Sequence, residues 1–498
     1  MKKTAPPQRF VLESFTLDTS AEAPLYRQLE ERLRQAIWFG DIKAGERLPA
    51  TRELAATLSI SRNTVVRAYE QLSVEGIIQA AIGAGYYVND TLPQRPGQSA
   101  VDPNSSPADP PKLSRAIDTL HQALPFIGNG KHPEPPGPFR AHIPDFKAFP
   151  HRTWQQLLNR RLKRRSRFWQ HHTHPCGYWP LRQTVADYLA AVRDMRVRAD
   201  QVVITAGVQQ CFELLARVLL NPGDTVAFEE PAYTPAAMVF TLAGARTVSV
   251  PVDSEGLMVA QAPKRGAKLL YCTPASHFPL GMSMSQGRRK SLLAWAESSD
   301  SLILEDDYNG EYRYRGRPLT TLYRMAGAGR VIYLGSFSKL LFPALRLGYM
   351  VLPEALIEAV SAARWLLDRH SPPLDQAVLS DFINDGHFAR HLRRMRQTYA
   401  RRQEALVDAA QRYLSGILTV PPLDGGLHLI GELGSATDKH RLLAAAKNAE
   451  CTISPVSHYC LANPETWNRQ LILGYAAYSE DELHSAANKL AQQYEISI

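Results

Sequence analysis

The chain has 498 residues, 45% of them apolar and 21% charged. That mixture excludes a mainly disordered or collagen-like chain, and at roughly 150 residues per domain it predicts two to four domains. The formal net charge of +9 admits a nucleic-acid partner without proving one, because the placement of charge matters more than its sum.

The opening MKKTAPPQRF has two lysines with no apolar stretch after them, unlike a secretory signal. No run approaches the roughly 18 apolar residues of a membrane span; Leu214–Leu220 is broken by Arg217. The five cysteines (Cys176, Cys211, Cys272, Cys451, Cys460) form no CxxC pair and no His-bracketed spacing. An odd, scattered set predicts a reducing, cytoplasmic setting with neither a metal site nor a disulfide framework. Between Glu22 and Asp90, eight basic residues stand against nine acidic ones. The basic excess lies in Arg160–Arg167 and Arg390–Arg402, which read as solvated helix faces.

Leu25, Leu29, Leu33 and Ile37 recur every fourth residue and predict one buried helical face. A turn at Phe39–Glu46 carries Gly40 and Gly45. Thr51 is a candidate cap for a short helix through Leu58. Ser59–Ser61 form a tight turn, and Ser61 caps a second helix to about Glu75. Val65, Tyr69 and Leu72 share its inward face, whereas Arg62, Asn63 and Arg67 lie away from it. Two short helices joined this way predict a helix-turn-helix, whose second helix reaches base edges in the major groove. Arginine suits guanine and asparagine suits adenine. Arg47 and Arg52 are better placed for phosphates, which position without specifying. EGIIQAAIGAGYYV then predicts two strands around Gly83 and Gly85, a wing. Ser61, Thr64 and Gly85 complete the candidate DNA-contact set. A small three-helix interaction domain is the alternative.

Leu92–Pro111 is rich in proline and serine and predicts an extended linker. The chain is therefore divided into a small domain over 1–91, a linker over 92–111 and a large domain over 112–498. A second proline cluster, His132–Pro138, predicts an irregular start to the large domain.

In that domain QVVIT, TVAFEEP, KLLYCTP, SLILEDDY, RVIYLGS and LGYMVL alternate with helical patterns. The alternation predicts an α/β fold with a mainly parallel sheet, helices on both faces and ligands at the carboxyl ends of its strands. One strand ends in Glu305, Asp306, Asp307, Tyr308. Another ends in Gly335, Ser336, Phe337, Ser338, Lys339. A third ends in Ala206, Gly207, Val208, Gln209 and opens a helix, whose free amides suit an anion. A lysine for an imine, a carboxylate for a pyridine nitrogen, a phenol for a ring hydroxyl and an anion cradle together fit pyridoxal phosphate.

Two resemblances sharpen this reading. PLYRQL, GERLPATRELA, SRNTVVRAYEQL, EGII and GAGYYV resemble, in order and spacing over 24–88, the winged helix of GntR-type regulators. Ala81 departs from it, standing where many relatives carry a basic wing residue. GYWPLRQTVADYL, ITAGVQQ, NPGDTVAFEEPAYTP, FPLGMSMSQGRR, EDDYNGEY and GSFSKLLFPALRLGY resemble the fold-type I aminotransferase-like part of the MocR subfamily of those regulators. That resemblance implies that Lys339 is the Schiff-base lysine, that Asp306 pairs with the pyridine nitrogen and Tyr308 with the ring oxygen, and that Tyr233 stacks on the ring. It further implies that Ser336, Ser338 and Arg346 hold the phosphate with the amides of Gly207 and Val208, Gln209 standing beside them. A head-to-tail homodimer is implied as well.

Two departures bear on the ligand. Enzymes of this fold clamp a substrate α-carboxylate with an arginine in a stretch like LRLGF; here it is LILGY, with Ile472 in that place. Arg469 lies close in sequence but is expected to point elsewhere. TPASHFPLG places Ser276 where relatives carry histidine, so His277 is not given the family role. These features predict a transcription regulator that binds an operator and senses pyridoxal phosphate or an amine through Schiff-base exchange at Lys339. The alternatives are a working aminotransferase with an accessory DNA-binding segment and a regulator with a cofactor-free large domain.

Overall fold

The computed structural model describes residues 15–19, 21, 23–81, 85–92, 117, 137–163, 173–316, 319–327 and 329–496. It divides into two compact units, residues 1–112 and 113–498. Most of the expected linker, Gly83 in the wing, residues 132–136 and residues 164–167 of the first basic run lie outside the described residues.

The first unit contains α1 (Leu25–Trp38), α2 (Thr51–Thr57), α3 (Arg62–Val74), β1 (Ile78–Ala81) and β2 (Gly85–Val88). Leu29, Leu33 and Ile37 from α1, Leu54 from α2 and Val65, Tyr69 and Leu72 from α3 close one core. The strands pair antiparallel, Ile78 opposite Val88. Backbone bonds from Gly45 to Val88 and from Leu48 to Tyr86 lay the preceding segment along β2. Ser61 is the N-cap of α3, its hydroxyl accepting from the Thr64 amide at 3.1 Å. Thr51 does not cap α2. Ala50 holds the N-cap position without a side-chain bond, and Thr51 is already the first helical residue. Ser61→Ala is expected to lower the stability of this unit by about 1 kcal/mol, read as a lower melting temperature in circular dichroism.

The second unit contains, in order, α4 (His151–Lys163), α5 (Trp179–Arg193), β3 (Val202–Thr205), α6 (Val208–Leu219), β4 (Thr225–Glu230), α7 (Thr234–Leu242), β5 (Arg246–Asp253), β6 (Gly256–Leu257) and β7 (Ala267–Cys272). Then follow α8 (Gln286–Ser298), β8 (Leu302–Asp307), α9 (Leu322–Ala326), β9 (Val331–Ser336), β10 (Gly348–Val351), α10 (Ile357–Leu367), α11 (Pro373–Asn384) and α12 (His387–Tyr413). The chain closes with β11 (Leu418–Thr419), β12 (His428–Leu433), α13 (Lys439–Asn448), β13 (Ser454–Pro455), β14 (Gln470–Gly474) and α14 (Glu480–Ile496).

Eight strands form one sheet in the order β3-β10-β9-β8-β7-β4-β5-β6. The neighbours from β9 through β5 pair parallel, whereas β10 runs antiparallel to both β3 and β9. Alternate residues feed two separate cores. Ala227, Leu270, Ile303 and Val331 join α5, α8 and α12 residues such as Leu189, Leu292 and Met395. Phe228, Leu269, Leu304 and Ile332 join Phe212, Phe240 and Val360 of α6, α7 and α10. Both faces are thus covered, which is why these strands read as near-continuous apolar runs. A second, antiparallel sheet of order β11-β12-β14-β13 carries the C-terminal part.

Candidate functional site: a cleft at the strand ends

Strand alternation decides which of three successive carboxylates reaches the cleft. Glu305 and Asp307 point to one face and Asp306 to the other. Glu305 accepts from the Leu322 and Tyr323 amides, both at 2.8 Å, and so caps α9. Asp307 meets Arg193 at 2.8 Å and accepts from the Tyr333 hydroxyl at 2.8 Å and the Gly310 amide at 3.0 Å. Among the described residues Asp306 has one hydrogen-bond partner, the Tyr271 hydroxyl donating to Oδ2 at 2.9 Å, and its Oδ1 is buried without one. Burial, reinforced by Asp307 and opposed by Tyr271, pushes Asp306 up to about 7. No cation or N–H among the described residues partners this carboxylate.

Asp306 lines a cavity of about 410 Å³, within the range of about 300–1,000 Å³ common for small-molecule sites. Gly207, Val208, Gln209, Tyr233, Tyr308, Ser336, Ser338, Lys339 and Arg346 line the same cavity. All ten cofactor positions singled out from the sequence therefore meet in one place. Lys339 Nζ donates to the His142 carbonyl at 2.8 Å, and burial lowers the amine to about 8. The Tyr308 hydroxyl is buried without a hydrogen bond. Tyr233 meets the edge of Phe278, ring centroids 5.3 Å apart.

The anion end is built from backbone. Gly207 is the N-cap of α6 at φ 88°, with no side-chain cap over the free amides of the first turn. A Cβ there would lie 3.2–3.4 Å from three atoms of the Arg346 guanidinium. Arg346 itself is left-handed (φ 49°) and donates to the Ala206 carbonyl at 2.9 Å. The Ser336 hydroxyl accepts from the Ser338 amide at 3.2 Å. Guanidinium, serines and helix amides thus converge as a phosphate group requires.

Sequence reasoning missed Tyr271, His142, Phe278, His458 and Tyr459, which also line the cleft. Tyr271 carried a signal, because it lies one residue before the end of a recognised strand. Ile472 is fully buried in β14, against Val252, Leu280 and Val456. Arg469 spends its guanidinium on the carbonyls of Leu433 and Gly434, at 2.8 and 2.6 Å. His277 is buried outside the cleft lining, its ring 3.8 Å from Glu229, and burial lowers it to about 3. Among the described residues no group of His, Cys, Asp and Glu is arranged to hold a metal ion.

In the first unit Arg62, Asn63 and Arg67 are exposed on α3, Arg67 with its guanidinium 5.8 Å from the Tyr26 ring centre. Ser61 and Thr64 bond each other at the helix start, hydroxyl to hydroxyl at 2.9 Å. Arg47 and Arg52 are exposed. Arg47 bridges to Tyr87 of β2 and lies beside Gly85, the first residue of that strand.

Residues 25–88 match the family described as bacterial regulatory proteins, gntR family, and residues 153–490 match aminotransferase class I and II. The probable rhizopine catabolism regulatory protein MocR of Rhizobium meliloti is 35% identical over 479 residues, covering 96% of this chain and 95% of that one. The chain belongs to the MocR subfamily of GntR-type regulators. A second member, the pyridoxine biosynthesis transcriptional regulator PdxR of Corynebacterium glutamicum, is 28% identical over 92% of this chain and 93% of its own. The large unit is similar to a kynurenine aminotransferase of Pyrococcus horikoshii, with TM-score 0.66 and 26% identity over 78% of this chain and 95% of that one. This MocR-type chain is thus a transcription regulator with a DNA-binding helix-turn-helix and an aminotransferase-like domain, a fold whose members use pyridoxal phosphate.

Proposed function

We propose that the large domain senses pyridoxal phosphate, or an amine that meets it there, and that this sets how the winged helix engages an operator. The observation that carries the reading is the unpartnered Oδ1 of Asp306 in one cleft with Lys339 and the Gly207–Arg346 cradle. The vitamer's pyridine nitrogen supplies the partner that Asp306 lacks, and its phosphate suits the cradle. The vitamer would supply an aldehyde able to form an imine with an amine, water leaving, and Lys339 would hold it until an incoming primary amine takes its place. The chain's residues hold and orient. Asp306 keeps a proton on the ring nitrogen, Tyr308 faces the ring oxygen and Tyr233 covers the ring. Ser336, Ser338 and Arg346, with the amides of Gly207, Val208 and Gln209, take the phosphate.

The DNA side divides by chemistry. Arg62 and Asn63, with Arg67 on the same face, read base edges. Ser61, Thr64, Arg47, Arg52 and the Gly85 amide contact phosphates. The domain limits are 1–91, 92–111 and 112–498, and the chain works as a head-to-tail homodimer. Light scattering of the purified protein is expected to give twice the 55.5 kDa chain mass.

The direct test adds pyridoxal phosphate to purified protein and follows the visible spectrum together with the footprint on its promoter. A yellow adduct that reduces onto Lys339 and an altered footprint support the reading. Colourless protein refutes it, and steady keto-acid production from an amino donor makes the chain a working aminotransferase instead. Gly207→Ala probes the cradle. A side chain at φ 88° costs about 1–3 kcal/mol, and the methyl crowds Arg346. The expected result is at least tenfold weaker binding of pyridoxal phosphate by fluorescence titration, with the secondary structure kept.

A further inference from the structure

One wall of the cleft is unused by the cofactor reading, and His142 stands on it. Its carbonyl accepts the Lys339 hydrogen bond, and its imidazole takes no part in that contact. The ring stacks on Phe278 at 4.8 Å and meets the edge of His428 at 4.6 Å. Its Nε2 is buried without a hydrogen bond. His428 Nε2 lies 2.6 Å from the Pro279 carbonyl. A carbonyl only accepts, so Nε2 carries the proton and Nδ1 presents a lone pair. That Nδ1 is also buried without a partner. Burial, with His428 and Lys339 nearby, holds His142 well below the usual imidazole range. Burial likewise lowers His428 to about 4. Both rings are neutral at pH 7.

The neighbouring wall is apolar. Ala141 and the cleft residue Tyr459 pack against the cluster that contains Ile472. Arg469 is committed elsewhere, and Arg140, whose charge reaches the Tyr459 hydroxyl, is exposed and outside the cleft lining. A carboxylate brought here is desolvated beside neutral imidazoles, which is unfavourable. A hydroxyl both donates and accepts, so it satisfies whichever imidazole nitrogen faces it.

We propose that His142 is the specificity-determining residue of the cleft and that the effector is a primary amine bearing an uncharged hydroxyl, not a carboxylate. The proposal rests on the reading that a primary amine meets Lys339 in this cleft.

Isopropylamine, alaninol and alanine share one skeleton and differ only in a methyl, a hydroxymethyl or a carboxylate. Each is titrated into full-length protein loaded with pyridoxal phosphate, and the visible spectrum gives a dissociation constant. Alaninol is expected to bind about tenfold more tightly than either of the others. His142→Phe keeps the ring stack on Phe278 but has no nitrogen. It is expected to bring alaninol down to the level of isopropylamine and to leave isopropylamine unchanged. Equal binding of all three amines, tighter binding of alanine, or an undiminished alaninol preference in His142→Phe overturns the proposal. If His142→Phe fails to fold, the ranking in the parent protein and the same titration of His142→Asn decide it. Failure of the cleft reading is distinct: the parent protein then gives no visible adduct, or borohydride fixes it to another residue, before any amine is added.

Discussion

Lys339→Ala is expected to abolish the visible adduct with pyridoxal phosphate and every response to amines, while leaving a folded protein that still binds operator DNA. The substitution removes a buried amine that donates to the His142 carbonyl, so no buried donor is orphaned and melting temperature is expected to hold or rise. Burial holds this amine at about 8, against about 10.4 for an ordinary lysine. The sign follows. The buried charge weakens the fold in full below about pH 8, and that penalty fades as pH rises from about 8 toward 10.4, where the unfolded chain binds the extra proton. The cofactor-free protein should therefore gain stability across this window, and Lys339→Ala should flatten the gain. The adduct should form faster as pH rises through 8, because the neutral amine is the nucleophile. Rates measured by stopped flow that climb only above pH 10 would place the reaction on a surface lysine and sink the reading.

The second large effect is at the start of α3. Arg62→Ala and Asn63→Ala each remove a candidate base contact worth about 1–3 kcal/mol, or roughly 5- to 150-fold in operator affinity. The loss should appear on the operator and vanish on unrelated DNA, since base contacts specify and phosphate contacts do not. Arg47→Ala makes the contrast. Set beside the wing, it should weaken binding to all sequences alike and reduce the salt slope by about one. Equal loss on operator and random DNA for Arg62→Ala would show that α3 does not enter the groove. Both residues are exposed and outside the core, so neither change should alter folding.

Much of this was legible because burial writes itself into sequence. The apolar runs that become β3, β4, β7, β8, β9 and β10 stand out since the sheet is covered on both faces. The turn at Gly207 and the polar strand ends at Asp306 and Ser336 were visible for the complementary reason, that polar groups interrupt those runs. The direction of β10 was not legible: four buried residues, Gly348–Val351, carry no mark of whether their neighbours run with or against them. The two-residue strands β11 and β13 are too short for any period. His142 was hidden because its position depends on a left-handed turn, φ 65°, in a segment without periodicity. Thr51 illustrates a limit of capping rules. A threonine before an apolar stretch reads as a cap, but Ala50 holds the N-cap in extended backbone and Thr51 is already the first helical residue.

The reversal at β10 has a consequence for how the pocket measures its guest. Ser336 lies opposite Gly348 across the β9–β10 pair, so residues 337–347 form a single excursion beyond the sheet rim. Lys339 stands on its outbound limb and Arg346 on its return. The spacing between Lys339 and Arg346 is thereby set by one loop whose two feet are pinned to adjacent strands. That loop is a molecular gauge. On the proposed reading a phosphorylated vitamer would reach from Lys339 to Arg346 and an unphosphorylated one would not, so lengthening the excursion by a residue should blur the distinction between the two without disturbing the sheet beneath.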